Sequence, residues 1–533
     1  MHKRISIAYS VLMAIFGVLM LNIFIINLDI QTKPSSSNSN TKVVELSGAR
    51  GNIYDCNMNK IVNSSFYYTT ISMPTTSALN SLSPYLSDAS KEALYENMTD
   101  GKMSILKTFT SFNSNEIKSI KTVERYEANQ VCAHLIGHLD QNGKGAFGLE
   151  KVYENLLSNE NKNVKISWST DALGRVLIGE SISITNNNFA TAAGIQITID
   201  LEFQKIAENL LLKHNIQKGA LVVLNAATSE ILACASIPTF NPTDLKSSIG
   251  SVDSPFLNRA ISSYCVGSVF KPFVAAAALE HNIDIKYECV GQISVNGKIF
   301  RCSGNIAHGE VDMTSAMENS CNCYFIALGQ QIGTKRLLEF CNQLNFGKKL
   351  ELADNFYTTQ GNLPTENEIN SLPALANLCF GQGTLLINPI QMACAYACFV
   401  NGGYYRPPTL MKAIIDENGE AIQKVRLPDN HKILNSNTVT KMDKILESVV
   451  VNGNGNKAYS TVVKNHGKTA TAQSGWYENN REITHTWFCG YFEINKTKYV
   501  AVILKEDGSS GGYDCAPIFK DLSEEIYKKA TLE

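Results

Sequence analysis

Apolar and polar positions alternate along Ile195-Gln-Ile-Thr-Ile199, the period of two that marks a half-buried strand. Asp200 then stands where a helix N-cap is expected, and apolar residues recur at helical spacing to about Leu212. Two further strands follow, Ala220 to Leu224 and Glu230 to Ser236, joined by the polar turn Asn225-Ala-Ala-Thr-Ser229. Far downstream, Thr486 to Glu493 and Tyr499 to Lys505 repeat the pattern as a second hairpin around Ile494 to Lys498. Alanine-rich helical stretches such as Val274 to Leu279 and Met392 to Val400 lie between. Strands at both ends with helices inserted between them predict one large α/β (α+β) domain, over 191–533, whose sheet is closed by distant parts of the chain.

Residues 42–190 mix short alternations and helical stretches with many Asn, Ser and Thr, and hold no nucleophile-base pair or metal-ligand spacing. They read as a small pedestal or docking domain. The start of the chain differs again. After His2-Lys3-Arg4 comes Ile5 to Ile26, 22 residues without a charge, which at about 1.5 Å per residue spans roughly 33 Å of helix. The run is longer than a signal-peptide core and no A-x-A pattern follows it, so it predicts an uncleaved transmembrane anchor within 1–28. The basic flank precedes it, which puts the N-terminus in the cytoplasm and the rest outside, a single-pass protein of the plasma membrane. Residues 29–41, including the polar stretch Lys33 to Thr41, read as a linker.

Charge changes the picture by exclusion. The 47 Lys+Arg against 49 Asp+Glu leave a net charge of -2, without the basic excess of a nucleic-acid binder, so no nucleic-acid partner is expected. An apolar content of 44% excludes a disordered chain. Of the fourteen cysteines, nine lie between Cys265 and Cys398.

The chemistry is carried by three short motifs inside the large domain. In Val266-Gly-Ser-Val-Phe-Lys-Pro-Phe273 a serine and a lysine stand three apart, so on a helix Ser268 and Lys271 share a face. Alone this is weak: the same spacing occurs at Ser39 to Lys42 and at Ser104 to Lys107 without company. Here it is followed by Asn319-Ser-Cys-Asn-Cys323 and by His466-Gly-Lys-Thr-Ala-Thr-Ala472, in the order S-x-x-K, S-x-N, K-T-G.

At these residues the sequence resembles the class B penicillin-binding proteins, the monofunctional peptidoglycan D,D-transpeptidases. The resemblance extends to Arg50-Gly-Asn-Ile-Tyr-Asp55, Gly148-Leu-Glu150, Asp171-Ala-Leu-Gly-Arg175, Asn258-Arg-Ala260, Gly381-Gln-Gly383, Pro389-Ile-Gln391, Asn401-Gly-Gly403 and His485-Thr-Trp-Phe488. It implies a penicillin-binding transpeptidase domain with a five-stranded antiparallel sheet flanked by helices. It also implies peptidoglycan stem peptides as substrate and β-lactams as inhibitors, with a membrane glycan polymerase and other cell-wall synthesis proteins as partners. Ser268 would be the nucleophile. Lys271 would be its base, which requires a lowered pKa, and burial and the nearby cation of Lys468 both act that way. Ser320 would relay a proton, Asn322 hold the substrate amide, and Lys468 polarise Ser320 and attract the terminal carboxylate. Thr469 and Thr471 would bind that carboxylate, and the backbone N-H groups of Ser268 and Thr471 would form the oxyanion hole. A D,D-carboxypeptidase or β-lactamase is the alternative enzyme, and a non-catalytic scaffold of a wall-synthesis complex the alternative from another class. Ala470 departs from the family's glycine, which bears on the scaffold reading.

That chemistry requires no cofactor. Cys289, Cys302, His308 and Cys321, spaced by 12, 5 and 12 residues, nevertheless form a set suited to tetrahedral zinc, with Cys323 as an alternative ligand. A structural zinc, a Cys289 to Cys302 disulfide and plain buried thiols are all open readings of this set.

Overall fold

The structure, a computed structural model, describes residues 13–22, 40–47, 49–158, 163–177, 182–186 and 193–532. Of the apolar run 5–26, residues 13–22 are helical and the remainder lies outside the described residues. Among the described residues no helix is long and apolar enough to cross a membrane. Residues 29–39 of the expected linker also lie outside them. Its last two residues, Asn40 and Thr41, belong to a strand instead, because Asn40–Ser47 pairs antiparallel with Asn163–Thr170.

The chain divides into two compact units. The smaller comprises Met1–Ala49, Ser65–Glu124 and Asn159–Ala190. In it Ser65–Ser72 is the middle strand between Ser104–Thr108 and Ile117–Glu124, and Asn163–Thr170 the middle strand between Asn40–Ser47 and Ser183–Asn186. Its cores are small, one around Ala78, Leu82, Leu94 and Ile117 and one around Ile71, Val164, Ile166 and Ile182.

The larger unit comprises Arg50–Ser64, Arg125–Ser158 and Thr191–Glu533. Residues 50–64 and 125–158, read from sequence as part of the N-terminal domain, therefore pack with the large domain. Two of the motifs first tie these segments to each other, and Cys132 N-H then donates to Glu208 and His134 bonds to the Pro255 carbonyl. Arg50 reaches the carboxylates of Glu150 at 3.0 Å and Glu154 at 2.7 Å, and Arg125 holds the other Glu150 oxygen at 2.6 Å. Glu150 is fully buried, and a buried carboxylate must be paired in this way. Ile53–Tyr54 then pairs in parallel with Ile195 and Gln196. The strand expected at 195–199 thus enters a separate four-stranded sheet completed by Met411–Ile415 and Ala421–Lys424.

The main sheet has five antiparallel strands: β1 (Gly219–Asn225), β2 (Ile231–Ile237), β3 (Asn465–Glu478), β4 (Arg481–Ile494) and β5 (Thr497–Lys505), in the order β2-β1-β5-β4-β3. Both predicted hairpins are present, and β4 pairs on its far side with the strand that carries the third motif. Both faces are covered, so β1 reads as a continuous apolar run. Leu221 and Val223 face a core containing Phe203, Leu211 and Phe519, from helices α1 (Leu201–Lys213) and α6 (Ala516–Leu532). Ala220, Val222 and Leu224 face the opposite core. That side carries α2 (Lys271–Glu280), α3 (Asn322–Ile332), α4 (Pro389–Ala397) and α5 (Ser436–Val451). Asp200 caps α1 as expected, its carboxylate accepting from the N-H groups of Glu202 and Phe203.

Candidate functional site

The three motifs meet where α2, α3 and β3 converge. Ser268 lies in a one-turn 3-10 segment, Gly267–Phe270, that runs directly into α2. Every residue of α2 from Lys271 to Leu279 is buried, so the helix is packed all round and holds this turn in place. The turn is gripped from two sides. Gly267 has a φ of 59°, and a side chain there would meet the Cβ of Ala472 on β3 at 3.1 Å. Its N-H donates to the carbonyl of Gly381 at 2.9 Å. A Cβ on Gly381 would lie 2.0 Å from the Gly267 carbonyl oxygen. The Gly381-Gln-Gly383 segment, part of the family resemblance, is thus a turn packed against the nucleophile's own turn.

Lys271 is buried, and its Nζ donates to the Ser320 carbonyl at 2.6 Å, to Asn322 Oδ1 at 2.7 Å and to Ser320 Oγ at 3.1 Å. Among the described residues no hydrogen bond joins it to Ser268. All three ammonium N-H groups are engaged by the second motif, so a free lone pair arises only when the amine is neutral and releases one of them. Burial is what favours that form. It brings the Lys271 pKa from 10.5 to about 7, with the thiols of Cys321, Cys302 and Cys323 pulling the other way. Ser320 aims both its oxygens at the amine from a left-handed backbone, φ 53°, between two helices, a conformation that costs a non-glycine residue about 1 kcal/mol or more. Cys321 caps α3, its sulfur accepting from the N-H of Tyr324.

Lys468 is buried on β3, and its Nζ donates to the carbonyl of Thr469 at 3.1 Å rather than to Ser320. Its pKa falls well below 10.5 through burial and then through the charge of Lys271. Thr469, Ala470 and Thr471 line one wall, with Thr471 Oγ1 accepting from Gly511 N-H at 3.4 Å. β3 pairs with β4 without a break from Asn465 to Gln473, so the methyl of Ala470 leaves the strand regular. The cleft encloses about 720 Å³ and is also lined by Ser268, Ser320, Asn322, Arg301, Gln382, Asn454, Lys457 and Tyr513. None of the described residues that line it is an Asp or Glu. Residues 453–457, which run into a 3-10 turn, and 510–513, which open a short helix, carry no motif; Arg301 is signalled only by standing between Phe300 and Cys302.

Beneath the second motif the cysteines cluster. Cys289 Sγ lies 3.7 Å from Cys302 Sγ and 3.4 Å from His308 Nδ1, and Cys302 Sγ lies 3.8 Å from Cys321 Sγ and 3.5 Å from Cys323 Sγ. All fourteen cysteines are free thiols, which removes the Cys289 to Cys302 disulfide. One donor atom from each of Cys289, Cys302, His308 and Cys321 falls within 4.8 Å of every other. A tetrahedron of thiolates about 2.3 Å from zinc has edges of about 3.8 Å, so the donor set fits that ion. The thiols of Cys321 and Cys323 hydrogen-bond to Cys302 and hold its sulfur toward the thiolate.

His466 and His485, which flank the third motif, do not line the cleft. His466 stacks on Tyr491 beside Asp443, and His485 packs edge-on to Tyr264.

Residues 219–524 match the penicillin-binding protein transpeptidase domain. The chain is 30% identical over 414 residues to stage V sporulation protein D of Bacillus subtilis, covering 74% of this chain and 62% of that protein. It is 25% identical over 445 residues to peptidoglycan D,D-transpeptidase MrdA of Haemophilus influenzae, covering 76% and 65%. The matches thus span less than two thirds of these relatives' own lengths. In fold it is similar to penicillin-binding protein 3 of Mycobacterium tuberculosis, solved with aztreonam, with a TM-score of 0.67 at 20% identity over 92% of this chain and 98% of that one.

Proposed function

The chain belongs to the penicillin-binding transpeptidase family, and from that membership we propose that it is a peptidoglycan D,D-transpeptidase that β-lactams acylate. Ser268 Oγ attacks the carbonyl of the penultimate D-Ala of a stem peptide while neutral Lys271 takes its proton. The oxyanion faces the N-H groups of Ser268 and Thr471. Ser320 Oγ passes a proton from Lys271 to the departing D-Ala amine, the C-N bond breaks, and an ester remains on Ser268. An amine of a second stem then attacks that ester and loses its proton to Lys271, which passes it to Ser268 Oγ as the C-O bond breaks and the cross-link forms. Thr469 and Thr471 hold the terminal carboxylate, the charge of Lys468 attracts it, and Asn322 holds the amide upstream.

One observation carries this reading. A buried lysine with a pKa near 7 is bonded to both polar residues of the second motif, at the floor of a cleft lined by the nucleophile and the third motif. Lys271 could serve either acceptor as base, so it is the products that separate transfer to an amine from hydrolysis. The test is to incubate the purified protein with uncross-linked, stem-bearing glycan chains and resolve the digested products. Cross-linked dimers are expected. Trimmed monomers with no dimers would refute the transfer to an amine.

We further propose that Cys289, Cys302, His308 and Cys321 hold one structural zinc. It would supply no reacting group. Its role is to tie the segments bearing Cys289, Cys302 and His308 to Cys321, which stands between Ser320 and Asn322. Metal analysis should find close to one zinc per chain, falling sharply in Cys289→Ser; a metal-free wild type refutes the site. The reading includes an anchor formed by residues 5–26 and a catalytic unit outside the membrane, where the polymer lies. Partners would be a membrane glycan polymerase and other wall-synthesis proteins.

A further inference from the structure

The cleft carries a charge that the reaction above leaves unused. Two cations line it, Arg301 and Lys457. Lys457 is already engaged, its Nζ lying 4.1 Å from the centroid of the Tyr513 ring. Arg301 makes no ion pair and no side-chain hydrogen bond with any described residue.

Its placement is fixed by its neighbours. Arg301 ends the strand Lys298–Arg301, and Phe300 and Cys302 on either side are buried at 7% and 3% exposure. Alternation therefore turns Arg301 outward, toward the cleft. The main chain is tied at both ends of this step. The Arg301 carbonyl accepts from Asn322 Nδ2 at 2.9 Å, and the Cys302 N-H donates to Gly291 at 3.0 Å. Arg301 is thus the cation next to the residue assigned to hold the amide upstream of the D-Ala pair. A guanidinium is a planar fork matched to a carboxylate, and no acidic side chain lines the cleft to compete for it.

We propose that Arg301 is a second carboxylate subsite, reading an acidic group on the donor peptide at the residue before the D-Ala pair. The proposal rests on the transpeptidase reading and narrows its substrate to stems with a free carboxylate there, rather than an amine alone.

Carbenicillin and benzylpenicillin test it, because they differ by one carboxylate on the carbon beside the side-chain amide. Second-order acylation rates for both are measured on the full protein and on Arg301→Gln, Arg301→Lys and Lys457→Gln. In Arg301→Gln the carbenicillin-to-benzylpenicillin ratio should fall about fivefold, the scale of a solvent-accessible ion pair, with the benzylpenicillin rate within about twofold of wild type. Arg301→Lys should recover part of the ratio and Lys457→Gln should keep it. An unchanged ratio in Arg301→Gln overturns the subsite, as does an equal fall of both rates, which would make Arg301 only a structural support. An equal loss of ratio in Lys457→Gln also overturns it, since the general field of the cleft would then be the cause. No acylation of wild type by either compound would instead sink the transpeptidase reading, and this inference with it.

Discussion

Replacing Asn322 by aspartate would put a full negative charge on the group that now accepts from Lys271 Nζ at 2.7 Å. An opposite charge this close favours the ammonium and raises its pKa by about 1 to 3 units. Starting from about 7, the variant's lysine would titrate at roughly 8 to 10. Only the neutral amine can accept the serine proton, so acylation follows the deprotonated fraction. In wild type that fraction rises about tenfold between pH 6 and pH 8 and is about three quarters at pH 7.5. With a pKa near 9 it drops to about 3% at that pH, so acylation slows about 25-fold and recovers only as the pH climbs past 9. The assay is the rate of benzylpenicillin acylation across pH 5.5 to 10. Its readout is the midpoint of the rising limb, because Asn322→Asp also loses the bond from Nδ2 to the Arg301 carbonyl and the absolute rate would carry that loss as well. A midpoint that stays in place, or moves down, would refute Lys271 as the base.

The same burial makes Lys271 a stability liability. Its folded pKa of about 7 lies below the 10.5 of the unfolded chain, so the folded state binds fewer protons between those values and the cost, roughly 5 kcal/mol, is complete below pH 7 and fades toward pH 10.5. Lys271→Met should therefore abolish acylation yet raise Tm, with the larger gain at pH 6.5 than at pH 9.5; thermal melts at the two pH values check it. Gly381→Ala forces a Cβ to 2.0 Å from the Gly267 carbonyl at a φ of 75°, and should cost about 2 to 4 kcal/mol and most of the acylation rate. Gly143→Ala, at a similar φ but with nothing within 4 Å, should leave acylation unchanged, as parallel denaturation and labelling would show.

The motif residues were legible because their chemistry is local. Ser268 and Lys271 are three apart, and Ser320 and Asn322 are two apart, so one helix start and one turn suffice to present them. The five-stranded sheet was legible where two strands adjoin in sequence, as β1 with β2 and β4 with β5. Less legible was anything that depends on long closure. β3 lies more than 200 residues from β2, and its polar motif hides the strand period. The strand at Ile195 alternates as expected, yet nothing in its own residues says that it pairs with Ile53 instead of joining the main sheet. Arg50 and Glu150 were recognisable as family motifs, but their partnership in a buried ion cluster, which ties 50–64 to 125–158, is a tertiary fact. The cysteine spacing indicated a metal-sized cluster, and folding removed only the disulfide among its readings. Arg301 carries no motif at all; its meaning comes from the buried residues on either side and from the absence of acidic neighbours along the cleft.

Every step of the proposed reaction runs through acylation of Ser268. The most direct measurement is intact-protein mass after incubation with a fluorescent penicillin at pH 8, for wild type and Ser268→Ala. A single stable adduct, mapped to the peptide holding Ser268 and lost in the alanine variant, is the predicted result. An adduct that persists in Ser268→Ala, or a wild type that takes up none, would contradict it.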